Sequence, residues 1–272
     1  MLVPSAHKSR KIIKIYASGA VGMKREALIQ IFIRSFFIHA ALNFRRMQNL
    51  GFVYAMIPLL REQKMSGKDE TEILTRHLQM FNTHPYLSAP LIGSIVRMEE
   101  QRQDVTSIMM VKQSLMGPYA AIGDTFFWGA LRPCAGIFAA GLAWMGWMLA
   151  PLAFIVIYEP MHIWVRLKGF MEGYRQGKQG IEFVRRIDLP RIAGRVRWLS
   201  LIVLAGFGAL LLQSGYSAFA GMQRFVVAAA ALAVILICWL LIKKGVSQIY
   251  ILYGAVVLFL IFSAKELLMC WK

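Results

Sequence analysis

Acidic residues are scarce in this chain. Asp and Glu number 14 against 31 Lys and Arg, for a formal net charge of +17. In a soluble protein that imbalance would raise nucleic acid as a partner. The distribution argues against it, because from Trp198 onward the only charged residues are Arg224, Lys243, Lys244, Lys265, Glu266 and Lys272. Basic residues crowd instead into Met1–Arg46 and Arg166–Arg197. Lys and Arg blocks flanking apolar spans follow the positive-inside pattern, and no basic-aromatic module accompanies them. Cysteine is also sparse. Cys134, Cys238 and Cys270 lie far apart among apolar neighbours, which excludes a disulfide framework and metal-ligand spacing and leaves small apolar filler. No metal or cofactor is expected. A Ser nucleophile elbow, an H-E-x-x-H helix, a Walker loop and a dinucleotide fingerprint are all missing. The basic start is no clean secretory signal: Ile12–Ala17 is a short apolar run, and Gly19, Lys24 and Arg25 come soon after it. There is no internal repeat.

What is abundant is apolar surface. Hydrophobic residues make up 58% of the chain, above the roughly 45–50% usual for soluble domains, and the mean hydropathy is +0.54. The fold class this predicts is all-α: a polytopic integral membrane protein with broken or re-entrant and amphipathic helices followed by C-terminal transmembrane spans. The pattern divides the chain into four regions. Residues 1–26 form a basic tail, whose Lys8, Arg10, Lys11 and Lys14 suit anionic lipid headgroups or a solvated tail. Residues 27–165 carry amphipathic and membrane helices with polar breaks. Residues 166–198 read as a basic aqueous segment, and 199–272 as spans: Leu199–Ala220, Phe225–Ile242 and Ile249–Ala264. If Arg166–Arg197 is cytoplasmic, Arg224 lies outside and Lys243-Lys244 inside.

The stretch Gln113–Pro133, QSLMGPYAAIGDTFFWGALRP, organises the reading. Proline disfavours helical geometry in the residue before it, so a helix is predicted to end near Gly117-Pro118. After Gly123, Asp124 is placed to cap a new helix from Thr125. Two half-helices meeting at a polar break are how membrane carriers expose backbone to a substrate. A second break is Asn82-Thr83-His84-Pro85, where Pro85 forces His84 to be extended. His84 then reads either as a functional polar group on a buried break or as a structural turn with Asn82 capping. His39, His77 and His162 read as packing, surface or boundary residues. A third polar cluster, Arg45, Arg46, Gln48 and Asn49, carries the bidentate donors and acceptors that hold sugar hydroxyls, as a solvated helix face also would. Gly173, Gly177 and Gly180 follow no strand, so they read as close-packing or loop positions rather than a phosphate loop.

With these residues in view, the chain resembles the enzyme IID component of the mannose/fructose/sorbose family of the bacterial phosphotransferase system. The matching stretches are Asn43–Leu60, Phe81–Pro85, Met98-Glu99-Glu100, Val111–Pro133 and the Gly169–Gly177 region, with Cys238–Ser247 a weaker echo. The resemblance implies a multi-pass subunit of the bacterial cytoplasmic membrane. It would form the sugar pathway with a IIC membrane subunit, in an oligomeric complex served by IIA and IIB phosphocarriers. Phosphoryl transfer would belong to those carriers, and this chain would be non-catalytic. The site and gate residues expected on this basis are Asn82, Thr83, His84, Gly117, Pro118, Gly123 and Asp124, with Arg45, Gln48 and Asn49 secondary. The chain departs from the family's usual Leu-Ala-Gly-Ile-Gly-Asp at Tyr119 and Ala121, and the segment around Gly221 is abbreviated. The competing class is a membrane scaffold or receptor subunit without transport.

Overall fold

A computed structural model describes residues 22–65, 67–216 and 222–270. The basic tail ahead of Gly22 and the abbreviated segment at Gly221 therefore lie outside the described residues. Among the described residues every regular element is a helix, apart from isolated β-bridges joining Asn43 to Met47 and Met47 to Phe81. The chain divides into two units, Met1–Ala205 and Gly206–Lys272.

The first unit is built on α1 (Arg25–Ser35), α2 (Asn49–Glu62), α3 (Gly67–His77), α4 (Ser88–Glu100), α5 (Val105–Gly123), α6 (Arg132–Trp144), α7 (Ala150–Gln176) and α8 (Glu182–Ile187). The helix α9 (Leu189–Tyr216) carries the unit boundary. The second unit holds α10 (Met222–Lys243) and α11 (Gln248–Cys270). The core of the first unit centres on α4. Eleven of the thirteen residues of α4 are buried, as expected of a helix that is apolar or small all round from Ser88 to Val96. It lies against α7 at backbone distance, because glycines line the crossing. A Cβ built on Gly93 would fall 2.4 Å from the Phe170 carbonyl oxygen, and one on Gly173 would fall 2.3 Å from that of Pro90. The short 3-10 turn Gly177–Ile181 folds back so closely that a Cβ on Gly180 would meet Gly173 Cα at 2.5 Å. Gly173 and Gly180 are thus packing positions, and Gly177 is a turn residue at φ +55°.

The predicted break at Gly117-Pro118 is not there. Residues Val105–Gly123 form one α-helix with Pro118 inside it. Part of the pre-proline clash comes from the Cβ of the preceding residue, and Gly117 has none. Both residues lie on a part of this helix that is not buried. Nor does Asp124 begin a new helix: it has φ −59° and ψ −45°, and its own backbone N–H bonds back to the Ala120 and Ala121 carbonyls. The irregularity falls later, as a π-helical stretch Asp124–Leu131 that passes directly into α6. The result is one apolar run of 40 residues, Val105–Trp144. The cap in this region is Asp104, which accepts from the Ser107 N–H at 3.0 Å.

Two further runs, Glu182–Leu210 and Phe225–Lys243, are also long and apolar enough to cross a membrane, and Gln248–Ile261 is a shorter apolar helix. The first of these starts well before the predicted Leu199. Pro151 lies in the first turn of α7, where proline's missing N–H costs nothing. The chain reverses ahead of it, through Gly146 at φ +82°.

Candidate functional site

The second predicted break is real, and it is where the polar chemistry gathers. Between α3 and α4, Phe81–Leu87 is non-helical and almost wholly buried. Its backbone therefore needs partners, and α2 supplies them. Gln48 sits at the N-cap of α2, presented by Met47 at φ +57°. The Gln48 backbone N–H donates to the Phe81 carbonyl at 2.8 Å. Its side-chain amide donates to the Thr83 carbonyl at 2.6 Å and accepts from the Thr83 N–H at 3.1 Å. The same amide nitrogen lies 2.6 Å from His39 Nε2, which must then be the accepting nitrogen of a neutral ring. Asn49 donates to the Leu78 carbonyl at 2.7 Å. Gln48 and Asn49 thus spend their side-chain groups on the protein, holding the loop's backbone.

His84 is presented at the centre. Its ring stacks on Phe127 at 5.2 Å and 16°, with Trp128 at 4.7 Å and Tyr86 at 4.8 Å. Its back rests on Gly123, where a Cβ would overlap His84 Cγ at 2.2 Å. The Tyr86 N–H donates to His84 Nδ1 at 3.3 Å, which places the ring proton on Nε2. His84 lies outside the apolar runs of spanning length. Burial, reinforced by the Arg166 guanidinium, lowers its pKa to about 3, so it is neutral at physiological pH.

The opposite wall comes from α7. Tyr158, His162 and Arg166 follow at intervals of four and share one face. The His162 ring lies 3.8 Å from that of Tyr86. Its Nδ1 sits 2.7 Å from the Glu159 carboxylate, so it donates there and leaves Nε2 as an acceptor. Tyr158 donates to the Tyr86 hydroxyl at 3.1 Å. Arg166 is only 2% exposed. It donates to the Ser35 carbonyl at 3.3 Å and lies over the rings of Phe36 at 4.3 Å and Tyr86 at 5.3 Å. The predicted aqueous segment therefore begins with a buried side chain. Its basic neighbours point to solvent, but the four-residue spacing to Tyr158 and His162 is a clue to the contrary.

Four buried polar atoms around this cluster have no hydrogen-bond partner: Thr83 Oγ1, His84 Nε2, His162 Nε2 and Arg166 Nε. Native structures seldom strand such atoms. Of the other predicted residues, Asn82 is half-buried on the same loop and caps no helix, since α4 starts with Leu87 at its N-cap. Gly123 is brought in, as the floor under His84. Arg45 and Asp124 are exposed, and Gly117 and Pro118 lie on a part of α5 that is turned away from the loop's core. Reasoning from sequence does not pick out Tyr86, Phe127, Trp128, Tyr158, Glu159 or Arg166.

Long apolar helices, together with a polar loop held by buried side chains, define a helical membrane protein. Residues 22–268 match the PTS system mannose/fructose/sorbose family IID component, and the chain belongs to that family. It is 34% identical over 194 residues to the fructose permease IID component of Bacillus subtilis (strain 168), covering 70% of each chain. It is equally identical over 187 residues to the PTS system mannose-specific EIID component of Escherichia coli (strain K12), covering 66% of this chain and 65% of that protein. Among solved structures, it is similar to a chain of the mannose transporter ManYZ in complex with microcin E492. That match has a TM-score of 0.55 and 28% identity, over 90% of this chain and 97% of the other.

Proposed function

We propose that this chain pairs with a IIC membrane subunit to carry a hexose or related neutral sugar across the bacterial cytoplasmic membrane. A IIB phosphocarrier then transfers phosphate to the sugar, and this subunit performs no phosphoryl transfer itself. The carrying observation is the set of four unpartnered atoms. His84 Nε2–H and Arg166 Nε–H are donors, His162 Nε2 is an acceptor, and the Thr83 hydroxyl is either. A neutral polyol offers donors and acceptors together and satisfies such a mixed set, whereas an anion would call for donors alone. Trp128, 44% exposed over His84, supplies an accessible aromatic face. In this reading Thr83 and His84 contact the sugar. Gln48 and Asn49 hold the loop, Gly123 supports the ring, and Asn82 and Asp124 border the pathway.

The test is uptake and phosphorylation of labelled hexoses by cells carrying the whole permease complex with His84→Ala. Leaving a buried sugar hydroxyl unpaired costs about 1–3 kcal/mol, so uptake falls roughly ten- to a hundredfold at unchanged amounts of protein in the membrane. Normal uptake would remove His84 from the pathway and favour a scaffold subunit whose polar loop only packs. Orientation is checked separately. Gln176, exposed at the end of α7, belongs on the cytoplasmic side with the basic residues around it. A Gln176→Cys variant is expected to react with an impermeant maleimide only after the membrane is opened; labelling of intact cells reverses the topology.

A further inference from the structure

A second buried polar cluster lies outside the site. Lys112, on α5, is 1% exposed. Its ammonium donates to the His77 carbonyl at 3.1 Å and sits 3.4 Å from His77 Nδ1. It lies over the ring of Phe52 at 4.3 Å, with Phe81 at 5.5 Å. A lysine has only donors, so His77 Nδ1 is the accepting nitrogen and Nε2 carries the proton. That Nε2–H donates to Glu99 at 2.8 Å. Arg76 reaches the same carboxylate at 3.7 Å. The buried positive charge is thereby tied through a neutral imidazole to a buried negative one, which is how such charges are tolerated.

What this cluster holds is the start of the site loop. His77 is the last residue of α3. The carbonyls of a helix's final turn have no partner within the helix, and positive charge is favourable there. Lys112 fills that role from another helix, while Asn49 and Arg46 take the next carbonyl, that of Leu78. Phe81, under the ammonium, is the residue whose backbone is pinned by Gln48 and Arg46. The α5 helix touches the loop again about three turns further on, where Gly123 supports His84. The loop is thus held by one helix at its start and at its middle.

We propose that Lys112 is the positioning residue of the Thr83–His84 loop, capping α3 across the helix interface so that the loop leaves it in one defined direction. Lys112 touches no ligand in this scheme. The link to sugar affinity rests on the reading of Thr83 and His84 as ligand-facing; the link to loop order does not.

The experiment uses membranes containing the whole complex, with Cys134, Cys238 and Cys270 replaced by alanine and Thr83→Cys as reporter. Thr83 is 3% exposed, so N-ethylmaleimide reacts slowly when Lys112 is present. Lys112→Met is expected to raise the labelling rate per copy at least about tenfold, the equivalent of ~1.4 kcal/mol of loop stability. In the Thr83 background the same substitution raises the apparent KM for sugar more than it lowers the maximal rate per copy. If Lys112→Met does not accumulate, Glu99→Gln carries the test. It removes the balancing charge but keeps an acceptor for His77, and a smaller rise in labelling is expected. Labelling unchanged per copy, with only the amount in the membrane reduced, overturns the proposal. Faster labelling with unchanged KM upholds the positioning role and refutes the sugar-contacting loop.

Discussion

Gly173→Ala is expected to remove this subunit from the membrane. The added methyl would stand 2.3 Å from the Pro90 carbonyl oxygen, 3.0 Å from the Ser94 nitrogen and 3.1 Å from Ser94 Oγ. Two of those atoms are backbone of α4, so no side-chain rotation relieves the contact. On the other side of the crossing, Gly93 meets the Phe170 carbonyl oxygen in the same way. Helices α4 and α7 would have to separate along a face where α4 is almost wholly buried. Overpacking a tight core costs about 1–3 kcal/mol and sometimes more, and a rigid backbone contact belongs at the upper end. Domains are stable by only ~5–15 kcal/mol. The separation also pulls the Tyr158–His162–Arg166 wall from the loop, so any protein that remains is expected to transport poorly. Quantitative immunoblotting of membranes beside per-copy uptake checks both. Gly173→Ala at wild-type amounts would mean that the α4–α7 approach is looser than described.

The second large effect separates two glycines on one helix. Gly123→Ala drives a methyl into His84, 2.2 Å from Cγ and 2.3 Å from Cβ. The ring cannot retreat, since Phe127, Trp128 and Tyr86 surround it. The loop must yield, so sugar uptake per copy is expected to drop at least as far as in His84→Ala. A Cβ at Gly117, by contrast, meets nothing within 4 Å from outside its own helix. Alanine there meets only the ring of Pro118, the next residue in the chain, so the roughly 1 kcal/mol that alanine gains over glycine in a helix is offset by the pre-proline clash, and uptake should fall less than in Gly123→Ala. Measured together in the whole complex, the pair ranks two residues that look equivalent in the sequence. A larger loss from Gly117→Ala than from Gly123→Ala would restore the break at Gly117-Pro118 as the important one.

The parts of the site that are legible in the sequence are those with local causes. Pro85 dictates an extended His84 whatever the rest of the chain does, and the loop is visible for that reason. The close-packing glycines after Gly169 are visible because they follow no strand, which a phosphate loop would need. The illegible parts turn on a finer local detail or on distant contacts. Gly117-Pro118 is a sound stop signal by local rules, yet the helix passes through it because Gly117 lacks the Cβ that makes the clash. The π-helical stretch at Asp124–Leu131 has no comparable local cue. Arg166 reads as solvated because its sequence neighbours downstream are basic. It is buried because α1 supplies the Ser35 carbonyl, the Phe36 ring follows directly after it, and Tyr86 lies close by. Lys112 is a similar case: nothing near it in sequence announces that the end of α3 will arrive beside it.

The continuous run Val105–Trp144 has a mechanical consequence. At 1.5 Å per residue its 40 residues reach about 60 Å, twice the ~30 Å of hydrocarbon in a bilayer. Such a rod must lean, or extend well past one surface, and the exposed Trp144, Trp147 and Met148 at its far end suit the headgroup layer. Gly123 falls near its midpoint. The contact with His84 thus lies midway along the run, with Lys112 toward one end and the π-helical stretch and α6 toward the other.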